Sequence, residues 1–433
     1  MDSLHKSSRR AFVRAAGAFA ALGASGRLWA APTKDVVVLT AYPDAVVSRF
    51  EAAFEKAWPQ YRLRIVWRMP HDALPYLRQA GQGGVDVYWS ASPKTYAQLK
   101  DEHAFRKLPV SLEGLPGRVG GSVINDPDGF YAASEVAGYG FAVNPAYLHS
   151  HKLPPVADWS DLADPVYAGH LAVPDPVEVG FAPVLVDIPL QAYGWDIGWA
   201  LWSAIAANAA FTGRGGTFVS DEIGGGRRGI GLSIDFFVAS AVANGAPIEF
   251  IYPRHGGVNP AHIAVTAGSP NPEGGKAFVD FVLSDAGQKI LAHPDIRKLP
   301  VRPSAYVGLP AGYHDPFAAA ARGGYLYDNA RGRGRAAPIA AAFGQAFVRP
   351  HARLVELWRC LHAADGAAWN TVWPLLTTPP LKEAEADDPA IQCAFFARRD
   401  DPAAEALAAG LEKTWASRVD ARYAKAASLL GVA

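Results

Sequence analysis

The sequence predicts an α/β fold of two strand-and-helix units followed by a long helical tail. Three observations predict it. After residue 34, short apolar runs alternate with amphipathic helical patterns, which is the signature of parallel β-α-β units. A second series of the same kind begins near "GYGFAVNPAYL". Beyond residue 311 the chain turns Ala-rich and helical, with no strand pattern.

The elements follow in order. Val36 to Leu39 predict a strand, and Phe50, Phe54 and Trp58 recur at helical spacing after it. "YRLRIVWR" predicts a second strand and "DALPYLRQAGQG" a short helix with its loop. Val85 to Trp89 form the end of a buried strand; a helix then starts at Pro93, with Ser92 placed as its N-cap. In the second unit "YAGHLAVPDP" predicts a strand and a turn, and Val177 to Ala192 the helix after it. "GWDIGWALWSAIAANAA" is a helix whose Trp195, Trp199 and Trp202 read as core. "GRGGT" reads as part of a glycine-rich loop, followed by a strand and a helix through "LSIDFFVASAVANG", and "IEFIYP" adds another strand. "NPAHIAVTAGSPNPEGGKAFVDFVLSDAGQKILA" completes the series with a strand, a turn and an amphipathic helix. In the tail, "RGRGR" (Arg331 to Arg335) reads as a solvated loop.

Composition narrows the function classes. The 433 residues are 50% hydrophobic and 19% charged, with 41 basic and 41 acidic side chains. No basic excess points to nucleic acid or an anionic membrane, so neither is favoured. "SSRRAFVR" before a short Ala/Gly-rich apolar stretch predicts a twin-arginine signal peptide over residues 1–31, too short for the ~20 apolar residues of a membrane span. That segment holds five bases and one acid, which leaves 36 bases against 40 acids beyond it. The expected location is the periplasm. Cys360 and Cys393 could pair there or stay separate, and the sequence leaves both open.

Enzyme and metal motifs are missing: there is no GxSxG, HExxH, Walker lysine loop or Cys/His cluster. "GGGRRG" (Gly224 to Gly229) lacks the GK[ST] ending of a phosphate loop and reads as a turn. The stronger signal is a set of polar turns that run into helices at strand ends. Thr40 to Pro43, with Ala41 and Tyr42, form one and Ser90 to Pro93, with Ala91 and Ser92, another; Asp175 to Phe181, with Gly180, and Ser233 to Phe237, with Asp235 and Phe236, are the counterparts in the second unit. N–H groups at helix starts from two units can hold a small anion between them. Tyr139, Arg214 and Thr217 complete the candidate ligand contacts. No catalytic residue, metal or cofactor is expected.

The order "VVLTAYP…VDVYWSASP…AGYGFAVNP…ADWSDLADPVYAGHLAVPDP…IDFF…SPNPEGGKAFVDFVLSDAGQKIL" resembles the periplasmic solute-binding proteins of ABC-type importers, in the branch of ferric-iron, phosphonate and thiamine binders. The likeness covers roughly residues 35–305. "LPPVADWSDLADPVYAGHL" and the long tail are most similar to periplasmic regulatory proteins of phosphoglycerate transport. The resemblance implies a type II-like two-lobe binding-protein fold with a helical C-terminal extension. Lobe one would be 34–140 plus 258–310, lobe two 141–257 and the extension 311–433. Hinges would lie near Gly138–Ala142 and His255–His262, with the ligand in the cleft.

Two departures from the family pattern refine this. Iron-binding members carry adjacent tyrosines at the start of a lobe-two helix, where this sequence has Phe236 and Phe237, which have no ligating oxygen. Phosphonate- and thiamine-type relatives have hydroxyls after the Asp-Pro of lobe two, where this sequence has Glu178 and Phe181. Asp235 could accept a hydrogen bond from ligand or cap its helix. The expected function is capture of a small polar, anionic solute, organophosphate or phosphonate-like, for ABC-type import by a monomer that docks on an inner-membrane permease. The alternative is a regulator that reports a phosphoglycerate-type ligand to a sensor kinase ectodomain. Ferric binding and a periplasmic hydrolase rank below both.

Overall fold

A computed structural model describes residues 33–213, 216–310 and 312–432, without the side chains of 216–218. The expected signal segment 1–31 lies outside the described residues. The first unit runs β1 (Lys34–Thr40), α1 (Asp44–Ala57), β2 (Tyr61–Trp67), α2 (Pro70–Leu77), β3 (Val87–Ser90) and α3 (Pro93–Asp101). A small hairpin, β4 (Arg118–Val119) and β5 (Ser122–Val123), precedes the long, fully buried β6 (Ala132–Val143). The second unit holds α4 (Pro145–Ser150), β7 (Leu171–Pro174), α5 (Ala182–Tyr193), α6 (Trp195–Asn208), β8 (Ala209–Thr212), α7 (Gly216–Gly224), β9 (Ile230–Ile234), α8 (Asp235–Ala243) and β10 (Glu249–Ile251). The chain then returns through β11 (Val258–Val265), α9 (Pro272–Leu283) and α10 (Asp285–Leu291).

The strands lie in the order β2-β1-β3-β11-β6-β9-β7-β8, with β10 also beside β6. β1 pairs in parallel with β2 and β3, and β7 with β8 and β9, as β-α-β units require. β6 joins the two halves. Its residues up to Gly138 pair with β11, and from Tyr139 onward they pair with β9. The first half is packed on both faces: Phe50, Phe54, Trp89 and Phe278 fill one side, and Tyr88, Tyr96 and Leu99 the other.

The tail is helical throughout its regular elements: α11 (Pro316–Ala321), α12 (Asn329–Phe343), α13 (His351–Ala363), α14 (Gly366–Thr377), α15 (Glu383–Ala386), α16 (Pro389–Ala397) and α17 (Pro402–Leu430). It shares the second half's core. Trp199 and Trp202, buried as their spacing predicts, pack in one cluster with Phe343, Trp358 and Trp415.

Four local expectations are corrected. The helix expected from Val177 starts only at Ala182, because Asp175 Oδ1 accepts the Val177 N–H and holds a turn there. The glycine-rich "GRGGT" stretch enters α7 at Gly216. Ser92 stands at the N-cap of α3, but its hydroxyl bonds the Thr95 hydroxyl at 2.7 Å and caps no backbone N–H. "RGRGR" is not a solvated loop but the first turns of α12, where Arg335 is fully buried against Asp187 and Arg331 pairs with Glu383 and Asp387. Asp328 caps that helix from below through the N–H groups of Ala330 and Arg331. Tertiary ion pairs outweigh the poor helix propensity of alternating glycine here.

Candidate functional site

β1 ends at Thr40, whose Oγ1 accepts the Tyr42 N–H at 3.1 Å and tightens the turn into α1. This swings the Tyr42 ring inward, edge-on to Trp89 with centroids 4.6 Å apart. Its hydroxyl donates to Glu135 Oε1 at 2.9 Å, and Lys298 Nζ donates to the same oxygen at 2.5 Å. Burial, then the charge of Glu135, holds the Tyr42 hydroxyl well above its ordinary pKa. The ammonium lies 4.9 Å from the centroid of the Tyr42 ring and 5.2 Å from that of Phe236. Rings from the two halves of the sheet thus flank one cation.

Glu135 and Lys298 are both buried, so the pair must recover the cost of dehydration from hydrogen bonds. It does so only in part. Glu135 Oε2 is buried without a partner, and two of the three ammonium N–H groups of Lys298 have no acceptor among the described residues.

Asp235, the first residue of α8, neither caps that helix nor hangs free. Its Oδ2 accepts the Gly138 N–H at 2.7 Å and the Tyr252 hydroxyl at 2.9 Å. It therefore ties α8 to the point where β6 changes partner. Gly138 is required there, because a Cβ would strike the Tyr252 ring. Burial pushes the Asp235 carboxyl up to about 7, against the lowering effect of those two bonds and of Lys298. A cavity of about 440 Å³ opens beside it, walled by Phe250, Tyr252, Arg297, Tyr313 and His314. The His314 ring stacks on Tyr252 at 3.7 Å, and burial lowers its pKa to about 4.

The structure thus brings Tyr42, Asp235 and Phe236 around Lys298 and Glu135. Tyr139 lies close by, buried in β6 opposite Ile234, with burial and then Asp235 raising its pKa. Ala91 packs on the Trp89 side of the sheet. Ser90 faces the other side, where its buried hydroxyl lies beside that of Tyr88. Asp175 and Gly180 form the turn before α5 and, among the described residues, do not hydrogen-bond to the Lys298 cluster. The Phe236 and Phe237 rings lie 4.2 Å apart, and Phe237 meets Phe181 at 5.7 Å. Thr217 lies within α7 and its side chain is outside the described residues, as is Arg214.

Sequence reasoning missed Glu135 and Lys298. One signal was available: Glu135 is the single acid in the apolar run "AASEVAGYGFAV", and a buried acid needs a partner. Among the described residues no three His, Cys, Asp or Glu side chains are grouped to hold a metal. Cys360 and Cys393 are both free thiols. No helix of the described residues is long and apolar enough to cross a membrane.

Comparison with known proteins places these features. The family described as "Bacterial extracellular solute-binding protein" matches residues 85–318. The phosphoglycerate transport regulatory protein PgtC of Salmonella typhimurium is 29% identical over 315 residues, which cover 72% of this chain and 77% of that protein. Two solved structures are similar in fold. The Bordetella ferric binding protein matches with a TM-score of 0.55 at 19% identity, covering 72% of this chain and 99% of that one. The periplasmic binding protein AfuA of Actinobacillus pleuropneumoniae, with exogenous fructose-6-phosphate bound, matches with a TM-score of 0.52 at 17% identity, covering 73% and 99%.

Proposed function

Because the chain belongs to the family of bacterial extracellular solute-binding proteins, we propose that it captures a small hydroxylated organophosphate between two lobes for import. In this reading lobe one is 34–140 with 258–310, lobe two is 141–257, and the hinges lie at Gly138–Ala142 and His255–His262. The observation that carries it is the Lys298–Glu135 pair between Tyr42 and Phe236. Two unused ammonium N–H groups suit an anionic oxygen, and the unpartnered Glu135 Oε2 suits a ligand hydroxyl. A sugar phosphate or phosphoglycerate carries both groups, whereas a bare ferric ion carries neither. The name of PgtC, a regulatory protein of phosphoglycerate transport, and the fructose-6-phosphate bound by AfuA support the same class.

Solute that touches residues of both lobes binds the closed form better than the open one, and so closes the hinge. The closed receptor then docks on an ABC-type permease in the periplasm. No residue has a catalytic role in this reading, and no cofactor takes part. The second reading, a regulator acting on a membrane sensor kinase, is favoured by the name of PgtC as a transport regulatory protein and by the tail's full integration into the second core. Titration calorimetry against 3-phosphoglycerate, fructose 6-phosphate and ferric citrate tests the proposal. Binding of a phosphorylated compound with cleft closure is expected; binding of ferric citrate alone would sink it.

A further inference from the structure

The cavity beside Asp235 lies where three parts of the chain meet. α8 and β10 of the second half give it Asp235 and Phe250, the return through the first half gives Arg297, and the start of the tail gives Tyr313 and His314. Its volume of about 440 Å³ falls in the range of small-molecule sites.

The polar atoms of its aromatic walls are engaged elsewhere. The Tyr252 hydroxyl donates to Asp235, the Tyr313 hydroxyl donates to the Lys298 carbonyl at 2.7 Å, and His314 Nε2 lies 2.7 Å from the Tyr325 hydroxyl. What these residues still offer is ring surface. Tyr252 stacks on His314 and stands edge-to-face with Phe250, with centroids 4.7 Å apart. Burial keeps the His314 imidazole neutral at pH 7, so the wall adds no positive charge.

Asp235 differs from these neighbours. It is only 4% exposed, and its Oδ2 carries both of its hydrogen bonds, from Gly138 and Tyr252. Oδ1 accepts none among the described residues, although each carboxylate oxygen has room for two donors. The raised pKa of this carboxyl marks the same shortfall, since burial outweighs the bonds it accepts and the charge of Lys298. The Lys298 ammonium is itself engaged by Glu135 at 2.5 Å. At the rim of the cavity Glu249 and Arg297 are exposed and opposite in sign, so they offset one another. The buried charge without a counter-charge is therefore that of Asp235.

We infer that this cavity is a second binding site, for a primary ammonium ion on a small apolar or aromatic body. The ammonium donates to Asp235 Oδ1, and the rings of Phe250, Tyr252 and Tyr313 line the space around it, where a cation gains from the ring faces. On binding, the carboxyl gives up to solvent the proton that it otherwise retains near pH 7. The site is separate from the one assigned to the organophosphate, and it draws on both halves of the sheet and on the tail.

Titration calorimetry of the full chain at pH 8, with benzylammonium chloride and with benzyl alcohol as its neutral counterpart, tests this. The ammonium is expected to bind at least tenfold more tightly than the alcohol. Asp235→Asn keeps an acceptor for Gly138 and Tyr252 but removes the charge, so it should lose that preference while its circular dichroism stays native. Phe250→Leu leaves Asp235 and its bonds in place and should weaken the ammonium severalfold; it decides the matter should Asp235→Asn fail to fold. Equal affinity for the two compounds, no binding of the ammonium at millimolar concentration, or variants that bind as the wild type does would each overturn the inference. The organophosphate reading, which concerns Lys298 and Glu135, stands in every case.

Discussion

At the scale of single residues, Lys298 and Glu135 decide most. Each is buried, and each depends on the other. Lys298→Met leaves an unpaired carboxylate in the interior and should cost on the order of 3–5 kcal/mol. Adding Glu135→Gln should recover most of that loss in a denaturant titration, yet solute binding should stay at least tenfold weaker. Recovery of binding in the double variant would remove Lys298 from the site. Asp235 gives a second test. Its carboxyl is raised from an ordinary 3.8 to about 7, so between those values the folded state holds more protons than the unfolded state. Its contribution to stability is therefore present in acid and lost as the pH rises through that window. Asp235→Asn keeps an acceptor for Gly138 and Tyr252 and removes the loss, so its gain in Tm should be larger at pH 8 than at pH 5. An equal gain at both values would mean that Asp235 does not titrate there.

Among the elements, α12 departs most from what its sequence implied. Gly332 and Gly334 between three arginines match a solvated loop in composition, and propensity offers no reason for a helix. Packing offers one. Gly332 lets the helix approach Tyr327 and Asp187, where a Cβ would collide, and Arg335 then buries its guanidinium against Asp187 and over the Trp195 ring. Arg335→Met should destabilise by about 3–5 kcal/mol, because it strands Asp187 in the core. Pairing it with Asp187→Leu should restore much of the stability, as urea unfolding would register. By contrast α1, α6 and α9 are legible in the sequence, since each carries an apolar stripe of helical period that packs in the predicted sense. The start of α5 was misplaced because a side-chain turn at Asp175 competed with the helix.

For the molecule as a whole, the tail is not an appendage. Trp199, Trp202, Phe343 and Trp415 belong to one buried cluster that joins the second half to residues far along the extension. A chain ending at residue 310 should expose this surface and lose fixed near-UV dichroism, rather than yield a folded receptor lacking only its tail. A soluble, cooperatively unfolding truncation would contradict this. The tail also contacts the first half, through Asn329 at Val123 and Phe396 at Lys94, so any closure about β6 must carry these contacts with it. Solute should therefore reduce the radius of gyration in X-ray scattering. A ligand that binds without this change would argue against closure.

The sequence by itself determined the alternation of strands and helices, the loops that run into helix starts, the all-helical tail and the family likeness. Each of these depends on local periodicity or on short motifs. The loop at Ser90 to Ser92 was legible as a helix start for the same reason, but the burial of Ser90 against Tyr88 was not. Only the tertiary structure decided that Glu135 and Lys298, 163 residues apart, form one ion pair, and that Arg335 lies in the core. These outcomes depend on desolvation and on contacts between distant segments, whose cost and gain arise only when the chain folds and water leaves.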